Sequence, residues 1–262
     1  MNNDVLKIRN SSYDKYSELL LKRDIVRKAA LHYQIEYTGV FGNLIIAVFN
    51  EKLECIRKKK TIEYCRAMLN HGQEVVMSEL RTYLDTELSA MREQLGSLVE
   101  NYDAAKNSTD VAARDMLKIK SIFRELAKRM HPDLNPVVED VEELKDLWNR
   151  IYIAYNRNDL KELEELEVLA NAALEKLGQK GENTIIPPNL ELKIMDLENE
   201  IKDIMERDPY AYKYILDDPG ACREKKKDYE EELRFYKEYS SELDEVIKEM
   251  GIDTKDTGWQ LN

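Results

Sequence analysis

No proline occurs before Pro132, and only four glycines do, at Gly39, Gly42, Gly72 and Gly96. Proline removes a helical hydrogen bond and clashes with the preceding turn, and glycine is the next most disruptive residue in a helix. The first half of the chain therefore carries almost nothing that stops a helix. Charged residues make up 35% of the sequence and aromatics 8%, a balance that favours long solvated helices over sheet. The expected fold class is all-α.

Residues 1 to 12 are polar and read as a frayed lead. From Tyr13 to Tyr37 a helical stripe passes through Tyr16, Leu20, Val26, Ala30 and Tyr33. Gly39 and Gly42 bracket Val40-Phe41, where the chain could turn or let a neighbouring backbone come close. The run Leu44 to Phe49 is the most apolar in the chain and on its own is also compatible with a buried strand. Its continuation through Leu53, Ile56 and Ile62, with no turn residue before Asn70-His71-Gly72, favours helix. A further helix carries Val76, Leu80, Leu84, Leu88, Met91, Leu95, Leu98 and Tyr102 near heptad spacing. Residues 12 to 106 are thus expected as three long antiparallel helices, partly coiled-coil-like. The cluster Arg57-Lys58-Lys59-Lys60 reads as a solvated or salt-bridged helix face. His32 and His71 lack metal-ligand spacing and read as surface or packing residues.

The segment Ile119 to Asn135 is the chemically pointed one. Ile119, Ile122, Phe123, Leu126, Ala127 and Met130 form one buried helical stripe. Lys120, Arg124 and Lys128 recur every fourth residue on another face, with Lys118 and Arg129 beside them. Pro132 then forces His131 out of helical geometry, so the chain enters a loop carrying His131 and Asp133. Ahead of this segment, Asn107-Ser108-Thr109-Asp110 is a polar break with N-cap chemistry. After it, Val141, Leu144, Trp148, Ile151 and Tyr155 make a second stripe able to pack antiparallel on the first. Glu139, Asp140, Glu142 and Glu143 at its start suit the helix dipole. Asp159 and Glu162 are spaced as a capping box for a helix ending at Gly178. Gly178 to Asn189, with Pro187-Pro188, is the clearest linker. Two further stripes follow, Leu190 to Met205 and Tyr229 to Met250, as a hairpin either packed on itself or docked on the N-terminal helices.

The segment 114–166 resembles the J-domain of DnaJ-type co-chaperones. That family's second helix ends on His-Pro-Asp after a Tyr/Phe-Arg-x-Leu-Ala pattern. Here the pattern reads Phe123-Arg124-Glu125-Leu126-Ala127, and His131-Pro132-Asp133-x-Asn135 follows. Trp148, Ile151 and Ala154-Tyr155 match the spacing of the family's third helix. Three positions depart from it. Met130 stands where an aromatic is usual, Trp148 replaces a common phenylalanine, and the first-helix Tyr-x-x-Leu-Gly is missing. The helix ending near Asn107, or a short one after Asp110, is expected to supply the missing packing. The full architecture is then long antiparallel, coiled-coil-like helices flanking a J-domain-like helical hairpin. In chain order it divides into residues 1–107 as the N-terminal long-helix assembly, 108–178 as the J-like unit, 179–189 as linker and 190–262 as the C-terminal hairpin.

The resemblance implies a partner-binding site rather than a catalytic one. A J-domain presses its basic helix and His-Pro-Asp loop onto a DnaK-type heat-shock ATPase and speeds its ATP hydrolysis. By that resemblance the partner-binding residues are Lys118, Lys120, Arg124, Lys128, Arg129, His131, Pro132, Asp133 and Asn135. The lysines and arginines would steer encounter with an acidic surface. Asp133 would hydrogen-bond a partner arginine, with His131 orienting the loop and Pro132 stiffening it. No nucleophile or second acid–base group accompanies the motif, no phosphate-cradling glycine loop exists, and no cofactor or metal is expected. The family's Gly/Phe-rich linker and cysteine-rich zinc module are also absent, which points to an adaptor whose helical arms choose a client. The alternative is a coiled-coil scaffold retaining a J-like element for packing only.

Net charge is −12, which argues against a nucleic-acid surface. Cys55, Cys65 and Cys222 show no CxxC spacing and read as free thiols in a reducing compartment. No signal-like leader and no run of about 18 apolar residues is present, so the expected location is cytoplasmic, away from the membrane.

Overall fold

A computed structural model describes residues 2–107, 112–178 and 189–252. Among them it contains helices and no strand: α1 (Asn2–Asn70), α2 (Met77–Lys106), α3 (Ala113–Met130), α4 (Val137–Asp140), α5 (Glu142–Asn156), α6 (Leu160–Gly178), α7 (Leu190–Glu206), α8 (Tyr212–Leu216) and α9 (Pro219–Glu249). The all-α class follows directly. The polar break at 108–110 and most of the linker, 179–188, lie outside the described residues.

The chain forms two compact units, each built from two separated stretches: Met1–His32 with Thr109–Ala211, and Tyr33–Ser108 with Tyr212–Asn262. The sequence reading ran its divisions in chain order, whereas compactness draws on both ends of the chain. α1 contributes its first part to one unit and its remainder to the other.

In the first unit, the α3 stripe of Ile119, Phe123, Leu126, Ala127 and Met130 meets Leu144, Trp148, Ile151 and Tyr155 of α5. Leu163, Leu166 and Ala170 of α6 complete the same core, and Leu21 of α1 joins it. The Phe123 and Tyr155 rings stack at 3.7 Å between centroids. Lys118 lies by Glu164 and Arg129 by Asn171, so α3 and α6 run in the same direction. The expected capping box is half formed, with the Glu162 N–H donating to Asp159 Oδ1 at 3.0 Å. A second cluster joins Tyr16 and Leu20 of α1 to Leu134 and to Ile194 and Leu197 of α7. Packing on the J-like helices is thus supplied by the start of α1. It does not come from a helix ending near Asn107 or a short one after Asp110, as the sequence suggested. Asn107 closes α2, which belongs to the other unit.

In the second unit, α1 and α2 form an antiparallel pair. Leu53 and Cys65 pack on Leu80, Leu84 and Leu88, and the chain turns at Gly72, whose φ of +66° suits glycine. α9 lies along α1 through Cys55, Ile62, Leu243 and Ile247. Of the two arrangements open to the C-terminal stripes, docking on the N-terminal helix is the one observed: α7 packs on Tyr16 and Leu20 of α1 in one unit, and α9 on Cys55 and Ile62 of α1 in the other. The basic cluster at 57–60 is largely salt-bridged, with Arg57 on Glu54 and Lys60 on Glu87. Lys58 goes further: it is buried and donates to Ser240 O, Ser240 Oγ and Asp244.

Residues 12 to 106 hold two long helices, not three, because α1 passes through Gly39 and Gly42 without a break. A glycine costs a helix interior only about 1 kcal/mol, less than tertiary packing returns over such a length. Gly42 does permit a close approach, but of a ring: a side chain at this position would collide with the ring of Tyr102. Gly39 faces open space, with nothing within 4 Å. Gly39→Ala is accordingly expected to raise the unfolding free energy by about 0.5–1 kcal/mol. Gly42→Ala is expected to lower it by about 1–3 kcal/mol, with the loss recovered when Tyr102→Ala is added. Urea denaturation of the single and double variants reads both signs.

Candidate functional site

α3 ends because His131 adopts extended geometry, φ −64° and ψ 125°, immediately before Pro132. The last helical bond runs from the His131 N–H to Ala127 O at 2.9 Å. Three contacts then fix the loop. The Leu134 and Asn135 N–H groups donate to His131 O at 2.9 and 2.8 Å, and Asn135 Nδ2 donates to Arg129 O at 3.2 Å. Asn135 thereby caps an orphan carbonyl of α3.

The His131 ring sits inside the loop. Its residue is only 5% exposed and its ring lies 5.1 Å from that of Trp148. Nδ1 accepts from the Asp133 N–H at 3.1 Å, which leaves the ring hydrogen on Nε2. Nε2 lies 3.4 Å from Asp24 Oδ2. The imidazole thus braces the Asp133 backbone from inside the loop, with Nε2 also 3.4 Å from Arg23 Nη2. Asp133 stays available, its side chain 49% exposed, with Oδ2 3.8 Å from Nη1 of Arg23. Pro132 is half-buried beside it.

Lys118, Lys120, Arg124, Lys128 and Arg129 of α3 are all exposed. Lys118 approaches Glu164 at 3.9 Å and Lys128 approaches Glu125 at 3.7 Å, while Arg129 donates to Asn171 Oδ1 at 2.6 Å. Exposed pairs of this kind are worth about 0–1 kcal/mol, so they leave the cationic face open to a competitor. Lys120, Arg124 and Lys128 share one face, while Lys118 and Arg129 lie on the other side of the buried stripe, beside α6.

Sequence reasoning missed the α1 residues behind the corner. Asp24 is 3% exposed and accepts from Nε and Nη2 of Arg23, each at 3.2 Å. Tyr13 donates its hydroxyl to Leu134 O at 3.1 Å. Lys28, 8% exposed, donates to Tyr155 O at the end of α5 and lies 3.6 Å over the Tyr155 ring. A signal was present: Leu20, Asp24 and Lys28 follow one another at intervals of four, so two charges occupy positions in phase with an apolar face. Arg23, Asp24, Asp133, Trp148 and Tyr152 line a shallow cleft of about 330 Å³ beside the corner. Among the described residues no group of three or more His, Cys, Asp or Glu side chains is placed to hold a metal ion, and no helix is long and apolar enough to cross a membrane.

Comparison with family models, curated proteins and solved structures gives no match to this chain. The functional reading therefore depends on the corner itself and on the resemblance carried by residues 114–166.

Burial brings the Lys28 pKa down to about 8, with the nearby Lys120 charge adding to the effect. Burial raises that of Tyr155 to about 12. Between about pH 8 and the ordinary lysine value of 10.5 the unfolded chain binds more protons at Lys28 than the folded one, so this contribution to stability rises with pH. Tyr155 acts oppositely, but only above its ordinary value of 10.0, where the folded state retains the proton. The clean window is pH 8 to 10. Wild type is expected to gain about 1 kcal/mol relative to Lys28→Met across that window, the full shift being discounted for solvent screening. Urea denaturation of both proteins at intervals of pH gives the difference curve.

Proposed function

We propose that this chain is a J-domain-like co-chaperone or adaptor. It engages a DnaK-type heat-shock ATPase through the basic face of α3 and the His131-Pro132-Asp133 corner, and it stimulates ATP hydrolysis by that partner. The observation that carries this reading is the state of Asp133: a half-exposed carboxylate on a loop pinned by backbone and imidazole hydrogen bonds, next to a row of exposed cations. A preformed loop loses little conformational freedom on binding. The cations raise the encounter rate with an acidic surface and make it salt-dependent. The chain contributes no chemistry of its own; hydrolysis belongs to the partner. The helical stretches outside the J-like helices would select the client, and the setting would be cytoplasmic, without membrane or nucleic-acid binding.

One observation favours a second reading, that of a scaffold which keeps the J-like helices for packing only. His131 is buried against α1, and Arg23 already pairs with Asp133. A steady-state ATPase assay with a bacterial-type DnaK separates the two. The wild type is expected to stimulate hydrolysis. Asp133→Asn should lose about tenfold or more of that stimulation, with helicity by circular dichroism unchanged, because a charge-assisted hydrogen bond is removed. A wild type that leaves the hydrolysis rate at its basal value would place the protein among scaffolds instead.

A further inference from the structure

Two carboxylates, Asp24 and Asp133, share the single guanidinium of Arg23 at the corner. The cleft lining pairs Arg23 and Arg27 with Asp24 and Asp133, and Arg27 also reaches Glu200. Trp148 and Tyr152 form two aromatic walls beside the half-exposed Asp133 carboxylate. A carboxylate flanked by aromatic rings can accept a guanidinium. Arg23 Nη2 also stands 3.4 Å from His131 Nε2, and the contacts of Arg23 to the two carboxylates are unequal. Its Nε and Nη2 hydrogen-bond Asp24 at 3.2 Å, whereas its Nη1 stands 3.8 Å from Asp133 Oδ2, beyond hydrogen-bond reach. Asp133 thus has acceptor positions to spare, while Asp24 would hold Arg23 if Asp133 let go.

Building on the co-chaperone reading above, we propose that Arg23 is an internal stand-in for the partner's arginine: it rests on Asp133 in the free chain and gives up that contact when a partner guanidinium enters the cleft. The incoming group can make the direct, bidentate contact that Arg23 does not. Arg23 need not leave its pocket, because its hydrogen bonds to Asp24 stay in place. Displacement is therefore easy, and Arg23 tunes affinity rather than blocking the site. Any ligand can shift such an equilibrium only by its differential interaction with the two arrangements.

The test measures the concentration of this protein that half-maximally stimulates a bacterial-type DnaK, for wild type, Arg23→Gln and Arg23→Lys. Glutamine keeps a donor for Asp24 and removes the competing charge. Lysine keeps the charge but cannot span both carboxylates. Arg23→Gln is expected to lower the half-maximal concentration about two- to fivefold, the range set by one partly exposed ion pair, with Arg23→Lys in between. Stimulation by Arg23→Gln where wild type is silent supports the same conclusion. Equal or weaker potency in both variants, with melting temperatures like that of wild type, overturns the displacement and leaves the co-chaperone reading intact. If Arg23→Gln is unfolded, Arg23→Lys alone decides by the same criterion. Absence of stimulation by every protein, folded and at saturating concentration, overturns both.

Discussion

Asp24 and Lys28 lie one turn apart on the inward side of α1, and both are out of water. Buried charge persists only where it is compensated, and removing one partner of such an arrangement costs about 3–5 kcal/mol. The compensation comes from named places: Arg23 on Oδ1 of Asp24, the carbonyl and ring of Tyr155 around Lys28. A shift of α1 by one residue would bury both charges without these neighbours. The polar pair thus sets the register of α1 on the J-like helices, and the hydrophobic contacts of Leu20 and Leu21 fill in around it. The His-Pro-Asp loop inherits its shape from that register, since the ring of His131 points where Asp24 is.

The second unit uses the same device. Lys58 is buried and reaches a backbone carbonyl of α9, that of Ser240, as Lys28 reaches that of Tyr155. In each case an ammonium on α1 finds an oxygen on a neighbouring helix. Apolar stripes of leucine and isoleucine tolerate sliding, because one methyl contact resembles the next. A cation seated on a particular carbonyl does not, so both pairings gain specificity that the stripes alone lack.

The local features of the fold were readable from the sequence. Pro132 ended α3 where it must, Asp159 capped α6, and the stripes of α3 and α5 met in the phase their spacing required. These are short-range effects, governed by residues within a turn or two. The errors were all long-range. Gly39 and Gly42 suggested a turn, but packing along α1 outweighs a single glycine, and the ring that explains Gly42 belongs to Tyr102. The candidate cations of α3 are exposed but divide between two sides of the helix, Asp133 reaches solvent, and His131 turns inward toward an aspartate more than a hundred residues earlier in the chain. Nothing local to the motif announces that partner. Only the charges in phase with the Leu20 face hinted that α1 had a polar appointment to keep.

Both compact units are assembled from distant stretches of chain that alternate along the sequence. During synthesis from the N-terminus, the opening helix emerges well before the segments that cover it. The cluster around Leu20 waits for Leu134 and α7, and the one around Cys55 cannot close until α9 leaves the ribosome. Loop closure over such spans is slow, and the uncovered leucines and tyrosines stay wet in the meantime. A protein of this build is itself a demanding passenger of the folding machinery, most vulnerable until α9 has been made.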